Sequence, residues 1–430
     1  MTGRTHSPEE TKSALHDVVV EMYDRIVKGE PPTMTLPVRT KNNITFNTRL
    51  GVYKYGKSTS VRDATSLRSA KQLLRALHVV EFIEEMIDAG KSSTLREMYY
   101  ISEGWGHGKF GSQNESNNLA EDLEVVTKCL REDFKLRPEE DGARIIGNIT
   151  LQERNRRGEW MRINARDDVG DSGYGVPYNV EAEKLELIEH DVDFIMAIET
   201  GGMFDRLIEN GFDEDHRCAL VHLKGQPARS TRRIMKRMSE EWDLPVVVFA
   251  DCDPWSYRIH ASIAYGAIKT AHISEYLATP TATYLGITAD DIVAYDLPSD
   301  DLSKKDIEAL NAELSDPRFQ DPWWQEQINM MLELGKKAEQ QSLANTVLIS
   351  SPTRTSRKVG RTRISPDGSA RGFLTVEPTQ PRDVRTGSGL SVALAHRGAR
   401  WRDAALELHP LRLHGRSPER GLRSSNDPRR

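Results

Sequence analysis

The sequence predicts an α/β protein with several domains, and three observations support this prediction. The chain has 430 residues, which is enough for two or three domains with a substantial core. Helical patterns with a small hairpin fill the first third. From about residue 185, compact apolar runs alternate with helical patterns, which is typical of a parallel sheet covered by helices.

The N-terminal third predicts three helices and a hairpin. Residues 8–28, 66–89 and 117–134 have apolar side chains at helical spacing. Residues 34–61 contain short alternating runs and an Asn-Asn pair, which indicates strands and a hairpin. Helices with a small hairpin are typical of a winged-helix DNA-binding module.

The second half predicts three buried parallel strands. The apolar runs are VDFIMAI (192–198), CALVHL (218–223) and LPVVVFA (244–250). Helical patterns lie between them near 201–210 and 229–242, and others follow at 254–276, 302–315 and 323–343. Glu199 directly follows the first run and Asp251 follows the third. Ligands of open α/β sheets bind at the carboxyl ends of strands, so this edge is the expected site.

Composition favours a cytoplasmic protein. No run of 18 apolar residues is present, so no transmembrane helix is expected, and the polar N-terminus lacks the apolar core of a signal peptide. The three cysteines, Cys129, Cys218 and Cys252, are widely spaced and match neither a zinc motif nor a disulfide framework. A reducing compartment is therefore expected.

The net charge of −6 conceals two regions of opposite sign. Residues 345–430 contain 17 Lys+Arg and 7 Asp+Glu, a net charge of +10, whereas the preceding residues contain 42 and 58, a net charge of −16. This tail is rich in Ser, Arg and Pro and has no sustained periodicity. We interpret it as a disordered, out-of-frame or otherwise foreign extension, with a native basic DNA-binding tail as the alternative.

Three carboxylates are candidates for a metal site. Glu199 and the pair Asp251 and Asp253, in DCDPW, could converge above neighbouring strands. Mg²⁺ prefers such hard oxygen ligands, and it can neutralise charge on a phosphate. The alternative for Asp253 is purely structural, because an aspartate before Pro254 is a good helix N-cap.

Tyr100 is a candidate nucleophile in the segment TLREMYYISEGWG. If this segment is helical, Arg96 and Tyr100 are i,i+4 neighbours on one face. Phenols are weak nucleophiles at neutral pH and need a base, a metal or a cation nearby, which Arg96 could provide. Packing in an ordinary helix is the alternative for paired tyrosines.

Two further stretches have compositions typical of phosphate binding. The segment 104–110, GWGHGKF, lacks the glycine spacing and the Ser/Thr of a phosphate loop, so no nucleotide site is expected. The basic cluster 229–237, RSTRRIMKR, lies on a predicted helix. These basic side chains are expected either to form a face of the helix exposed to solvent or to contact phosphate groups.

Five blocks in the right order resemble the A subunits of DNA topoisomerase VI, a family related to the meiotic double-strand-break transesterase. The blocks are TLREMYY, AIETGGMFDRL, HLKGQPARSTRR, FADCDPW and DPWWQEQINMMLELGKKAEQQSLA. The resemblance extends from about residue 10 to Ala344. One departure is Ser256, which stands where a glycine often follows the aspartate block.

The resemblance implies a winged-helix (CAP-like) DNA-binding domain followed by a Toprim α/β domain with a parallel sheet. The boundaries expected are 1–65 for an N-terminal helix and hairpin region, 66–150 for the winged-helix domain, 151–344 for the Toprim domain with its closing helices, and 345–430 for the tail. It implies that Tyr100 is the nucleophile assisted by Arg96, and that Glu199, Asp251 and Asp253 hold Mg²⁺.

The resemblance also implies partners and an activity. The expected enzyme cleaves double-stranded DNA through a 5′-phosphotyrosyl link, relaxes and decatenates DNA, and is nucleoid-associated. It requires a homodimer of this chain and an A2B2 heterotetramer with a B subunit, which binds the ATP. Two alternatives remain: a Toprim-type Mg²⁺-dependent nuclease, and a break-forming transesterase without strand passage.

Overall fold

The computed structural model of the chain describes residues 6–137 and 142–343. Contacts divide the chain into two units, Met1–Gln341 and Ser342–Arg430, and every helix and strand named below belongs to the first. The hypothesis about the tail at 345–430 concerns residues outside the described ranges. Within those ranges, no helix has both the length and the apolar character that crossing a membrane requires.

The N-terminal region contains four helices and six short strands. They are α1 (Pro8–Val27), β1 (Thr33–Pro37), β2 (Ile44–Asn47), β3 (Val52–Tyr55), β4 (Thr59–Asp63), α2 (Leu67–Asp88), β5 (Ser93–Thr94), α3 (Leu95–Ile101), α4 (Gln113–Thr127) and β6 (Leu136–Arg137). β2 and β3 form an antiparallel hairpin, and β1 pairs with β4 beside it. The predicted strands and hairpin are therefore confirmed.

Local sequence explains where these helices begin and end. Ser7, Ser66 and Thr94 cap α1, α2 and α3, and each accepts a hydrogen bond from the backbone amide three residues later. The helix predicted at 117–134 is displaced: α4 ends at Thr127 because Lys128 adopts a left-handed backbone conformation with φ of 60°.

A small antiparallel sheet follows, which the sequence patterns did not predict. The strands of this part of the chain are β7 (Arg144–Ile146), β8 (Ile149–Arg154), β9 (Trp160–Asn164), β10 (Tyr174–Gly175) and β11 (Leu185–His190). β8 lies between β11 and β9, and these three form a sheet of their own. β7 and β10 instead extend the larger sheet of the second half.

The second half is built around a six-stranded sheet. Its elements are β12 (Phe194–Ile198), α5 (Gly201–Glu209), α6 (Phe212–Asp215), β13 (Cys218–His222), α7 (Arg229–Glu241), β14 (Val246–Phe249), α8 (Pro254–Tyr265), α9 (Ser274–Leu277), β15 (Thr283–Tyr284), α10 (Ala289–Ala294), β16 (Asp300–Asp301), α11 (Lys304–Leu314), α12 (Pro322–Leu334) and β17 (Lys336–Lys337). The strand order is β10-β7-β13-β12-β14-β15, and β13, β12, β14 and β15 run parallel. The three predicted parallel strands are confirmed.

Two of the predicted helices are shorter than expected, and glycine ends both. α8 stops at Tyr265, because Gly266 has a φ of 75°. A 3-10 helix at Ile268–Ile273 and α9 follow in place of one long helix. α12 stops at Leu334, where Gly335 adopts the left-handed conformation and redirects the chain into β17. The turn at Gly335 brings residues 336–340 to the carboxyl edge of the sheet.

Two apolar cores underlie these regions. The N-terminal core includes Leu15 of α1, Ile83 of α2 and Met98 of α3, all fully buried. The second core contains the inward faces of the large sheet and of β8, together with α7 and α8. β13 and β14 are buried at every position, as expected for central strands covered by helices on both faces.

Candidate active site

Neighbouring parallel strands bring the first two acids together. β12 pairs with β14 so that Ile198 lies opposite Phe249, and Glu199 and Asp251 follow these positions. The Glu199 amide donates to the Phe249 carbonyl at 3.2 Å. The Asp251 amide donates to the Glu199 carboxylate at 3.3 Å. The expectation that these two acids meet at the carboxyl edge of the sheet is therefore confirmed.

Burial perturbs both acids, and a neighbouring carboxylate adds to the effect on each. Burial raises the pKa of Glu199, while a hydrogen bond from the Ser256 hydroxyl partly opposes the rise. Burial and the adjacent Glu199 raise the pKa of Asp251 to about 7. Ser256, the departure from the family pattern, thus contacts the site directly. A divalent cation would relieve the repulsion between these oxygen donors, so the residues fit Mg²⁺.

Asp253 serves as a helix cap and also belongs to the acidic group. Its carboxylate accepts the Trp255 amide at 2.7 Å, which caps α8. Its second oxygen lies 2.9 Å from the Lys337 ammonium, which also contacts Asp306 at 3.1 Å. The charge of Asp253 adds to the rise in the pKa of both Glu199 and Asp251, so it belongs to the same acidic group. The Lys337 ammonium would compete with a metal ion for the Asp253 carboxylate.

The segment after α12, which we call the closing segment (residues 336–340), completes this edge. The Gln340 amide donates to the Asp251 carboxylate at 2.8 Å. The buried Gln340 side chain donates to the Phe249 carbonyl at 2.5 Å and accepts the Thr200 hydroxyl at 2.9 Å. Lys337 and Gln340 were missed from sequence, because the apolar pattern placed them inside a helix. Gly335 was the signal that could have ended that helix earlier.

The two tyrosines of α3 have different environments. Tyr99 packs partly against the N-terminal core, whereas the Tyr100 side chain is 55% exposed. The Arg96 guanidinium lies 3.5 Å from the Tyr100 hydroxyl and 5.8 Å from its ring centroid. The predicted i,i+4 proximity is therefore confirmed. Tyr100 presents its phenol to solvent beside a cation, which plain helix packing does not require.

The basic cluster on α7 is neither a solvated face nor a phosphate-contacting face. The Arg229 side chain is 12% exposed and pairs with Glu124 of α4 at 2.8 Å and with Glu132 at 2.9 Å. Arg233 pairs with Glu181 at 2.6 Å, and Arg237 pairs with a glutamate one turn later in α7. Both interpretations of the sequence are therefore wrong for these arginines. They fasten α7 to α4 and to the strands beside it.

Comparison with protein families gives three matches in sequence order. Residues 71–136 match "Type IIB DNA topoisomerase", and residues 139–191 match "All-beta domain in DNA topoisomerase VI alpha subunit". Residues 194–350 match the Toprim domain shared by topoisomerase 6 A subunits and Spo11. The second match covers the small antiparallel sheet, and the third begins at β12.

Relatives named as A subunits of type 2 DNA topoisomerase 6 match most of the chain. The protein of Natronomonas pharaonis is 55% identical over 339 residues, which cover 78% of this chain and 91% of the relative. The protein of Archaeoglobus fulgidus is 54% identical over 331 residues, which cover 77% of this chain and 91% of the relative. The chain belongs to the family of type 2 DNA topoisomerase 6 A subunits. A further relative, from Haloarcula marismortui, is 50% identical over 343 residues, which cover 79% of this chain and 92% of the relative.

Membership of the topoisomerase 6 A family settles the class of activity. The chain is the DNA-cleaving subunit of a type IIB topoisomerase, and it contains a Toprim domain within its mixed α/β fold. A Toprim nuclease and a break-forming transesterase without strand passage are not favoured. The similarity ends near the start of the Arg-rich tail, since the Toprim match stops at residue 350.

Proposed function

We propose that Tyr100 is the nucleophile that cuts DNA, that Arg96 assists it, and that Glu199, Asp251 and Asp253 hold Mg²⁺. The observation that carries this proposal is the exposed Tyr100 phenol beside Arg96, on a chain that also has half-buried acids at the carboxyl edge of its sheet. The N-terminal helices and hairpin act as a winged-helix module that brings Tyr100 to the duplex.

The reaction is a transesterification. The phenolic oxygen of Tyr100 forms a bond to a backbone phosphorus as the bond from phosphorus to the 3′-oxygen breaks. The phenolic proton passes to solvent water, to which Tyr100 is exposed, and the 3′-oxygen takes up a proton, for which Glu199 is the proposed donor. The products are a 5′-phosphotyrosyl link and a free 3′-hydroxyl. Phosphoester bonds are exchanged one for one, so resealing is the reverse step and needs no ATP.

Charge stabilisation comes from two sources. The Arg96 guanidinium, close to the phenol, neutralises part of the negative charge that develops on the phosphate oxygens. Mg²⁺, when bound, supplies further neutralisation of the phosphate and of the leaving oxygen. Gln340 and Ser256 keep the Asp251 and Glu199 carboxylates oriented for that ion through the hydrogen bonds described above.

The assembly that we propose is an A2B2 heterotetramer. Two copies of this chain cut opposite strands, and each active site combines Tyr100 of one protomer with the acids of the other. The B subunit binds ATP and drives strand passage. The names of the relatives, which specify an A subunit, support a partner of this kind.

Mixed dimers test the shared site. Chains with Tyr100→Phe and chains with Asp251→Asn are each expected to be inactive when assembled alone with B subunit. In a mixed dimer, one composite site keeps both Tyr100 and the intact acids, so single-strand nicks with covalent protein should appear. If each site were instead built within one protomer, the mixture would leave DNA intact, and the proposed exchange between protomers would be wrong.

A further inference from the structure

A second group of metal-ligating side chains lies in the N-terminal region. Among residues 6–137 and 142–343, His6, Cys129 and Asp133 are the one group of histidine, cysteine or acidic residues whose ligand atoms all lie within 4.8 Å of one another. His6 Nδ1 is 3.3 Å from an Asp133 carboxylate oxygen. The His6 backbone amide donates to the other oxygen at 3.2 Å.

The environment of this group is that of a constructed site. Cys129 is 1% exposed, and the Asp133 side chain is 3% exposed, whereas the His6 side chain is 32% exposed. The Leu130 amide donates to the Asp133 carboxylate at 2.8 Å, which fixes its orientation. The Cys129 thiol donates to the Thr127 carbonyl at 3.7 Å, and its sulfur also lies within 4.8 Å of ligand atoms of both His6 and Asp133.

The donor set distinguishes this group from the acids of the large sheet. A thiolate, an imidazole and a carboxylate are the ligands that Zn²⁺ prefers, whereas Mg²⁺ prefers oxygen donors alone. Three protein ligands leave a fourth tetrahedral position for water, and the partly exposed His6 side provides access. No sequence motif indicated the site, because His6 and Asp133 are 127 residues apart.

We propose that His6, Cys129 and Asp133 bind a zinc ion that fastens the start of α1 to the turn after α4. Binding displaces the thiol proton of Cys129 to the solvent. The same turn carries Glu132, which pairs with Arg229 of α7 at 2.9 Å. The ion therefore stabilises the turn through which the N-terminal region contacts the Toprim domain. This role is independent of DNA cleavage.

Cobalt substitution tests the proposal on the full chain. The chelator-treated protein is titrated with Co²⁺ in excess Mg²⁺, which keeps oxygen-only sites occupied. A thiolate-to-cobalt charge-transfer band and tetrahedral d–d bands report ligation by cysteine. The variants are Cys129→Ala and His6→Gln, and the matched control is Cys218→Ala, which removes another buried cysteine. Because His6 is partly exposed, His6→Gln tests the site even if Cys129→Ala fails to fold.

The expected result is a stoichiometric thiolate band in the unmodified chain and in Cys218→Ala, with loss of the band in both ligand variants. Zn²⁺ should raise the Tm of the unmodified chain but not that of His6→Gln. The proposal is overturned if the unmodified chain gives no thiolate band, if either ligand variant keeps it, or if Cys218→Ala loses it. Each of these results leaves the assignment of Tyr100 untouched.

Discussion

The backbone amide of Gln340 donates a hydrogen bond to the carboxylate of Asp251 at 2.8 Å, across 89 residues of sequence. The closing segment therefore fixes an acid that a strand end alone would leave free to rotate. Ala338 of the same segment pairs with Cys252, the residue between the two aspartates. Orientation of the proposed metal ligands thus depends on a part of the chain that is remote in sequence.

Gln340→Ala is expected to weaken both folding and metal use. The change removes the two hydrogen bonds of the Gln340 side chain, to the Phe249 carbonyl and from the Thr200 hydroxyl, which costs about 1–3 kcal/mol of unfolding free energy. The backbone amide that contacts Asp251 is retained, but the closing segment that carries it loses its anchors, so the Mg²⁺ concentration for half-maximal cleavage should rise. Urea unfolding and a Mg²⁺ titration of cleavage measure these effects. The control is Gln320→Ala, an exposed glutamine that donates to the Leu314 and Asp316 carbonyls instead, and equal Mg²⁺ requirements in both variants would contradict this role of Gln340.

Lys337→Met is expected to lower the Mg²⁺ requirement for cleavage. The Lys337 ammonium pairs with Asp253 and would compete with the metal for its carboxylate, and the Lys337 side chain is partly exposed. An ion pair of this kind is worth about 1 kcal/mol, so the half-saturating Mg²⁺ concentration should fall by about threefold to tenfold. Lys336→Met, which removes a pair with Asp301 instead, should leave the requirement unchanged. A higher requirement in Lys337→Met would show that the ammonium assists the site rather than competing with the metal.

Glu124→Gln is expected to destabilise the contact between α4 and α7. Burial alone would raise the pKa of Glu124, but Arg229 and Arg131 hold it well below its usual range. Removing the charge takes one carboxylate partner from Arg229 and one from Arg131 at a buried position, which costs about 3–5 kcal/mol at neutral pH. The surface change Asp88→Asn, which breaks an exposed pair with Lys12, should cost less than about 1 kcal/mol.

The Glu124 effect should depend on pH in a defined direction. A carboxylate with a lowered pKa in the folded protein stabilises it above its unfolded-state pKa, and this contribution disappears as the pH falls through the folded value. The difference between Glu124→Gln and the unmodified chain should therefore shrink in acid. Urea unfolding at neutral and acidic pH measures it, and a difference that grows in acid would refute the ion-pair explanation.

Arg96→Ala is expected to slow DNA cleavage by about 100-fold, because a positioned cation near the reacting oxygen is lost. DNA affinity should change little, since one phosphate contact is a small part of binding. Single-turnover cleavage and filter binding separate the two effects. The matched control is Arg68→Ala, which removes an exposed charge from α2. Equal rates in the two variants would assign Arg96 a role outside the chemistry.

The sequence was sufficient for the central sheet and the acids at its edge. The runs at 192–198 and 244–250 are apolar because both faces of the strands they form are buried. The sequence therefore showed that these segments are strands and where each strand ends. No position of β9 is buried, so its sequence had no such apolar run. Gln340 and His6 act through contacts with residues far along the chain, which local patterns do not encode.

Attack of the Tyr100 phenol on DNA is the step on which the other catalytic proposals depend. The most direct measurement mixes the chain with B subunit, an ATP analogue, Mg²⁺ and supercoiled DNA, stops the reaction with detergent, and maps the protein–DNA link by mass spectrometry. We expect a 5′-phosphate ester on Tyr100, absent from Tyr100→Phe and retained in Tyr99→Phe. Free 5′-phosphate ends without covalent protein, or an adduct that persists in Tyr100→Phe, would show that this phenol is not the nucleophile.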